Sequence, residues 1–218
     1  MPPDFFSVTW LPNRVLQQTV AGGRPLRGLP LAPAAEHLYV GQARSSIVSV
    51  FKQDPAEWQR LDWSLLQNTA VTLYFSRTIL DADVTWLAEH RYRVRTLRAG
   101  DCDSADALLI ALADLLAFPP HFGRNLDAFN DCLSDVEVPE DGGLALVLHD
   151  FHLCVQKFRP AAQAILDVCA TNARRFLLTG QRFIVLVQSS DPRIAFEPVG
   201  ATPVMWNPQE WLNSKRGI

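Results

Sequence analysis

The chain has 218 residues, 48% of them hydrophobic and 20% charged, with a formal net charge of −3. This length supports a sizeable core in one large or two small domains, and the balanced composition is that of an ordinary globular protein and excludes a disordered one. There is no apolar run of about 18 residues that would span a membrane, and the opening MPPDFFSVTW has neither the basic nor the apolar region of a secretory leader, so the sequence predicts a cytoplasmic protein.

Residues 1–80 are expected to form a β-rich N-terminal module of unassigned role. FFSVTWL, EHLYVG and SSIVSVF are short runs of β-branched and aromatic residues, and AGGRPLRGLPLAP between them carries Gly and Pro punctuation. DPAEWQRL reads as a helical turn with Asp54 as cap and Pro55 in the first position. AVTLYF follows as a strand. The bases Arg14, Arg24, Arg27, Arg44, Lys52 and Arg60 face the acids Asp4, Glu36, Asp54, Glu57 and Asp62, a near balance that leaves no patch for nucleic acid.

Residues 81–218 read as an α/β domain with a C-terminal tail. DADVTWLAEH is a short helix capped by Asp81 or Asp83, and YRVRTLRA is a strand, an order that predicts a parallel crossover. The helix expected over 104–117, SADALLIALADLLA, shows Leu108, Leu112 and Leu115 on one stripe, widened by Ile110 and Leu116. A short acidic helix and the loop EVPEDGG lead to the buried strand LALVLHD. Pro160 is placed to start a long helix, AAQAILDVCATNARRFLL, that stops at Gly180. The strand RFIVLVQS completes a small parallel sheet with packed helices. The remaining tail is Pro-rich, and Trp206 and Trp211 are expected to pin it to the body.

The segment FPPHFGRNLDAFNDCLSD, residues 118–135, carries the strongest functional signal. Asn125 is a good N-cap, so the helix starts at Leu126 and runs to about Ser134. At roughly 100° per residue, Leu126, Ala128, Phe129, Cys132 and Leu133 share one arc, and Asp127, Asn130, Asp131, Ser134 and Asp135 share the other. Asp127 and Asp131, one turn apart, repel by about 0.2–0.5 kcal/mol. An acidic face with that cost suggests a use. The loop ahead of it supplies His121, Phe122 and Gly123, the last expected to provide a backbone shape that the loop needs. Between Asp101 and Asp141 ten acids face one base, Arg124, a local balance of −9 that leaves +6 elsewhere. Such a concentration steers cationic proteins and repels polynucleotides, so the expected partner is a basic protein and not nucleic acid.

Other chemistries find less support. Cys102, Cys132, Cys154 and Cys169 are widely spaced without a CxxC and read as reduced structural thiols. His149 and His152 in HDFH have no third ligand at metal spacing and read as structural. His121, Asp127 and Asp131 are residue types found in hydrolytic sites, but carboxylates on an exposed helix lack the desolvation that separates their pKa values. With no GxSxG, P-loop, GxGxxG or HExxH either, no enzyme, cofactor or metal is expected.

His121, Phe122, Gly123, Asn125, Leu126, Asp127, Ala128, Phe129, Asp131, Cys132 and Leu133 together resemble the YxxGxNLDALxDCL core of the barstar-like family of ribonuclease inhibitors. The order of elements over 92–189 also agrees. The resemblance implies that the loop and the acidic helix plug the active site of a basic ribonuclease or ribonuclease toxin domain. Asp127 and Asp131 then fall at the family's two aspartate positions, set against cationic groups that would hold substrate phosphate. The chain departs from the pattern at His121, where the inhibitor has a tyrosine, and at Asn130, where it has a tryptophan. A distal family acid falls near Thr171. These departures keep open a second reading, a non-catalytic regulatory module for another basic protein.

Overall fold

The structure is a computed structural model that describes residues 54–217. The β-rich runs expected within 1–53 lie outside the described residues. The strands are β1 (Val71–Tyr74), β2 (Tyr92–Arg98), β3 (Gly143–His149), β4 (Phe183–Gln188) and β5 (Met205–Trp206), all parallel, in the order β2-β3-β4-β1-β5. Six α-helices occur among the described residues: α1 (Pro55–Trp58), α2 (Leu61–Asn68), α3 (Arg77–Glu89), α4 (Ala105–Leu115), α5 (Leu126–Ser134) and α6 (Phe151–Leu178). The expected α/β class with a parallel sheet is therefore present.

Helices on both sides explain the apolar runs of the central strands. Leu144, Leu146 and Leu148 of β3 and Phe183, Val185 and Val187 of β4 pack under α4, α5 and α6. The alternate residues Ala145, Val147, Ile184 and Leu186 pack with Leu65 and Leu66 of α2 and with Leu80 and Leu87 of α3. Strand β1 is not a peripheral addition. It lies between β4 and β5, with Val71 opposite Val185, and a boundary drawn at residue 80 falls inside α3.

Four local expectations are corrected. Helix α3 starts before Asp81, at Arg77, because Ser76 caps it by accepting the Ile79 amide. Asp83, one of the two expected caps, sits mid-helix and buried, accepting from the Tyr74 hydroxyl and from Asn207 Nδ2, both at 2.8 Å. Helix α6 begins at Phe151, not Pro160; its backbone breaks at Phe158 and Pro160 lies just inside the second segment, where a missing N–H is tolerated. In α4 the buried stripe is Leu108, Leu109, Leu112 and Ala113, while Ile110 reaches the surface.

The tail is also held differently from expectation. Trp206 extends the sheet as part of β5, but Trp211 is 62% exposed. The buried anchor is Glu210, whose Oε1 accepts the Phe75 and Ser76 amides at 3.0 and 2.7 Å, just beyond the end of β1. Asn213 Nδ2 donates to its other oxygen, and the Arg216 guanidinium lies 4.1 Å over the Trp206 ring. A carboxylate satisfied by two backbone amides can be buried without the usual penalty.

Another buried carboxylate ties α2 to the sheet. Asp62 accepts from Arg60 Nε and Nη2 at 3.0 and 2.8 Å and from the Tyr92 hydroxyl at 2.8 Å, with Arg182 Nη1 at 3.8 Å. Burial alone would raise its pKa, but the hydrogen bonds from Arg60 and Tyr92 outweigh it and hold the carboxyl below its ordinary value. A depressed carboxylate stabilises the fold above its unfolded pKa, and this contribution is lost as pH falls through the folded value. Asp62→Ala should lower unfolding free energy by about 3–5 kcal/mol, the cost of breaking a buried pair from one side. Urea titration at neutral pH checks this, and the gap to the parent should narrow as the solution is acidified.

Candidate functional site

The site is built on α5 and the loop before it. Helix α4 ends with Ala117 in the left-handed region at φ 57°, and the Phe118 amide returns to the Ala113 carbonyl at 2.9 Å. This closes the helix end, and Pro119 follows where a helix cannot continue. The chain turns back through the Phe122 amide to the Pro119 carbonyl. Phe118 packs edge-on against Phe122 and tilted against Phe129, with ring centroids 5.4 and 5.7 Å apart. Asn125 then caps α5 as the sequence predicts, its Oδ1 accepting the Ala128 amide at 2.8 Å.

Phe129 and Leu133 of α5 are fully buried, and Leu126 packs against the same core. Asp127, Asp131, Ser134 and Asp135 are exposed, as the helical periodicity requires. Asn130 is different. It is half-buried, and its Oδ1 accepts from Nδ2 of Asn172 at 3.0 Å, an α6 residue with no exposed surface. The Asn172 Oδ1 has no partner of its own among the described residues. Asn130 therefore ties α5 to α6 and does not stand free on the acidic face. Thr171, at the expected place of a distal acid, is half-buried.

Beside α5 runs a groove of about 510 Å³. One wall is Ala128, Asp131, Cys132 and Asp135 of α5 with His121, Phe122 and Gly123 of the loop; the other is Arg93 and Arg95 of β2. The acidic face is thus divided: Asp131 and Asp135 line the groove, while Asp127 and Ser134 are not among its lining residues. Gly123 does not carry the loop's unusual backbone. That conformation belongs to Arg124, at φ 51°. What Gly123 provides is close approach, since a Cβ there would lie 3.3 Å from the Ala128 Cβ. Burial, and then Asp131 and Asp135, raise the Cys132 thiol, which disfavours a reactive thiolate. The four cysteines, all among the described residues, form no disulfide in the structure.

The charge of this region differs in space from its charge along the chain. Four of its ten acids meet bases from outside the segment: Asp101 with Arg98, Asp103 with Lys157, Glu137 with Arg93 and Asp141 with Arg91. Asp127, Asp131 and Asp135 have no cationic partner within 4.0 Å among the described residues. The sequence reading did not single out Arg93 and Arg95. Their period-2 placement in YRVRTLR was the available signal, but it does not reveal which helix the strand faces.

His149 and His152 lie at the other end of the α6 connection. His152 Nδ1 accepts the Ser190 amide at 3.3 Å, and burial, followed by the Arg77 charge, lowers the His149 pKa.

The described chain is thus an α/β protein with an acidic helix and an aromatic-floored groove at one side of its parallel sheet. Residues 92–188, from β2 through β4, match the family model described as Barstar (barnase inhibitor), and the match supports a barstar-like assignment for this segment. Strand β1, helix α3 and the tail lie outside the matched residues. No curated protein matches the chain. Among solved structures, a chain from the Drosophila ORC bound to AT-rich DNA and Cdc6 is similar over 58% of this chain and 43% of its own, at 16% identity and a TM-score of 0.38. Similarity at that level says nothing about what this chain binds.

Asp131 stands one turn from both Asp127 and Asp135 and makes no side-chain hydrogen bond or ion pair to another helix among the described residues, so Asp131→Ala should leave the melting temperature unchanged or raise it slightly by relieving i, i+4 repulsion. A thermal melt of the variant beside the parent checks this; a marked loss of stability would assign Asp131 to the scaffold.

Proposed function

We propose that the protein is a barstar-like inhibitor, an immunity protein that blocks the active site of a basic ribonuclease or ribonuclease toxin domain in the cytoplasm. The observation that carries this reading is that Asp131 and Asp135 line a groove with His121, Phe122 and Gly123, with no cationic partner within 4.0 Å among the described residues. Carboxylates on a rigid helix are ready to meet a cationic pocket without reorganisation, which favours affinity. Asp127, on the same exposed surface, adds to the field that draws such a partner in. Phe122 and His121 supply apolar and ring surface beside the charges. The proposed role is steric and electrostatic, with no chemistry performed on the partner.

The test is co-purification from the native cell, with the captured partner assayed for RNA cleavage in the presence and absence of the protein. Purified barnase serves as a ready second probe. A basic ribonuclease that the protein silences supports the proposal. A basic partner without nuclease activity would transfer the reading to a regulatory module, and RNA turnover by the protein alone would overturn the non-catalytic role.

Two outcomes are expected of the complex. Asp131→Ala should weaken binding by about 2–5 kcal/mol, a magnitude borrowed from charge pairs of the barnase–barstar kind. Stopped-flow association should slow steeply between low salt and physiological salt, where the Debye length shortens to about 8 Å, while dissociation changes less. An association rate indifferent to salt would place the interface away from α5.

A further inference from the structure

Of the two arginines that line the groove, Arg95 is the one without an ion pair among the described residues. Around it, the bases of the β2 edge have acidic neighbours: Arg91 with Asp141 at 3.0 Å, Arg93 with Glu137 at 3.6 Å, and Arg98 with Asp101 at 3.9 Å. Arg93 also donates to the Glu137 carbonyl at 3.2 Å. Arg95 shares the same groove with Asp131, Asp135 and Glu137, yet has no ion pair with any of them within 4.0 Å and no hydrogen bond among the described residues. It is half-buried. A guanidinium presents five N–H donors in a fixed fork, and partial removal from water is costly unless acceptors replace the water. Nothing on the described chain supplies them.

The two walls of the groove therefore differ in sign. A uniformly cationic surface entering it would meet attraction from Asp131 and Asp135 and repulsion from Arg95. We infer that Arg95 is a specificity-determining contact, and that the groove's occupant is a segment of a basic protein carrying a carboxylate close to its cationic groups. The cations face α5 and the carboxylate docks on Arg95, bidentate where its geometry allows. The Phe118 and Phe122 side chains exclude water from one side of this pair, which strengthens both interactions. This deepens the docking reading of the same groove and rests on it.

The test displays a library of short linear peptides to the immobilised full chain and titrates the enriched sequences against the parent, Asp131→Ala, Arg95→Glu and Arg95→Gln, each first checked for parental circular dichroism. Arg95→Gln keeps hydrogen-bonding capacity without charge and covers a failure of the reversal to fold. The expected peptides carry both bases and an acid, and bind Arg95→Gln and Arg95→Glu at least about tenfold more weakly than the parent. The sign is decisive, because Arg95→Glu makes the groove more acidic and should tighten any purely cationic ligand. Peptides that carry bases alone and bind Arg95→Glu as well as or better than the parent would overturn this inference and leave the docking reading standing. Enrichment that Asp131→Ala does not diminish, or no enrichment over a bare surface, would overturn both.

Discussion

The burial of Phe129 and Leu133, one turn apart on α5, decides where the carboxylates of that helix stand. A helix of nine residues has little stability of its own, and its rotation about its axis is set by the face it buries. With those two side chains in the core and Asn125 closing the N-terminus, Asp131 and Asp135 have to face the groove and Asp127 the open surface. The Asn130–Asn172 hydrogen bond fixes the same helix against α6 from its other flank. A polar contact here replaces apolar packing, and it is directional, so it constrains tilt as well as rotation.

Electrostatics in this protein is a matter of which charges are answered. Ion pairs at the periphery, such as Arg91 with Asp141, join two exposed side chains and contribute little to stability. Their effect is to neutralise the flanks. Within the groove, the charges left without an ion pair among the described residues are Asp131 and Asp135 on one side and Arg95 on the other. A local excess of one sign beside a single opposed charge gives both long-range attraction and short-range discrimination, two separable properties of an interface.

Described residues outside the family match complete the sheet at the edge away from that site. A sheet ending at β4 would expose a strand whose two faces are buried, an aggregation hazard. Strand β1 pairs with β4 and β5 pairs with β1, so the outer edge is reduced to the two residues of β5. Glu210 holds the tail in place through the amides that follow β1, and Asn207 joins the tail to Asp83 of α3. The described residues outside the family match, from β1 and from the tail, are thus continuous with the sheet of the matched segment.

Features governed by neighbours in the sequence were legible in it. The cap, bounds and faces of α5 follow from Asn125 and the 3.6-residue period, and β3 and β4 follow from apolar runs between turn residues. The family core was visible for the same reason, since its motif is contiguous. What the sequence did not disclose depends on contacts across the chain. Asp83 looks like a helix cap until Tyr74 and Asn207 are brought to it; Asn130 looks exposed until Asn172 lies beneath it; Trp211 looks like an anchor until Glu210 takes that role. The −9 of the acidic segment is a property of the chain, but its distribution is a property of the fold, because only tertiary structure brings Arg91, Arg93 and Lys157 to some carboxylates and leaves Asp131 and Asp135 facing Arg95 across a groove. Periodicity and capping act within a helical turn, whereas the partner of a charge or a buried amide can come from anywhere along the chain.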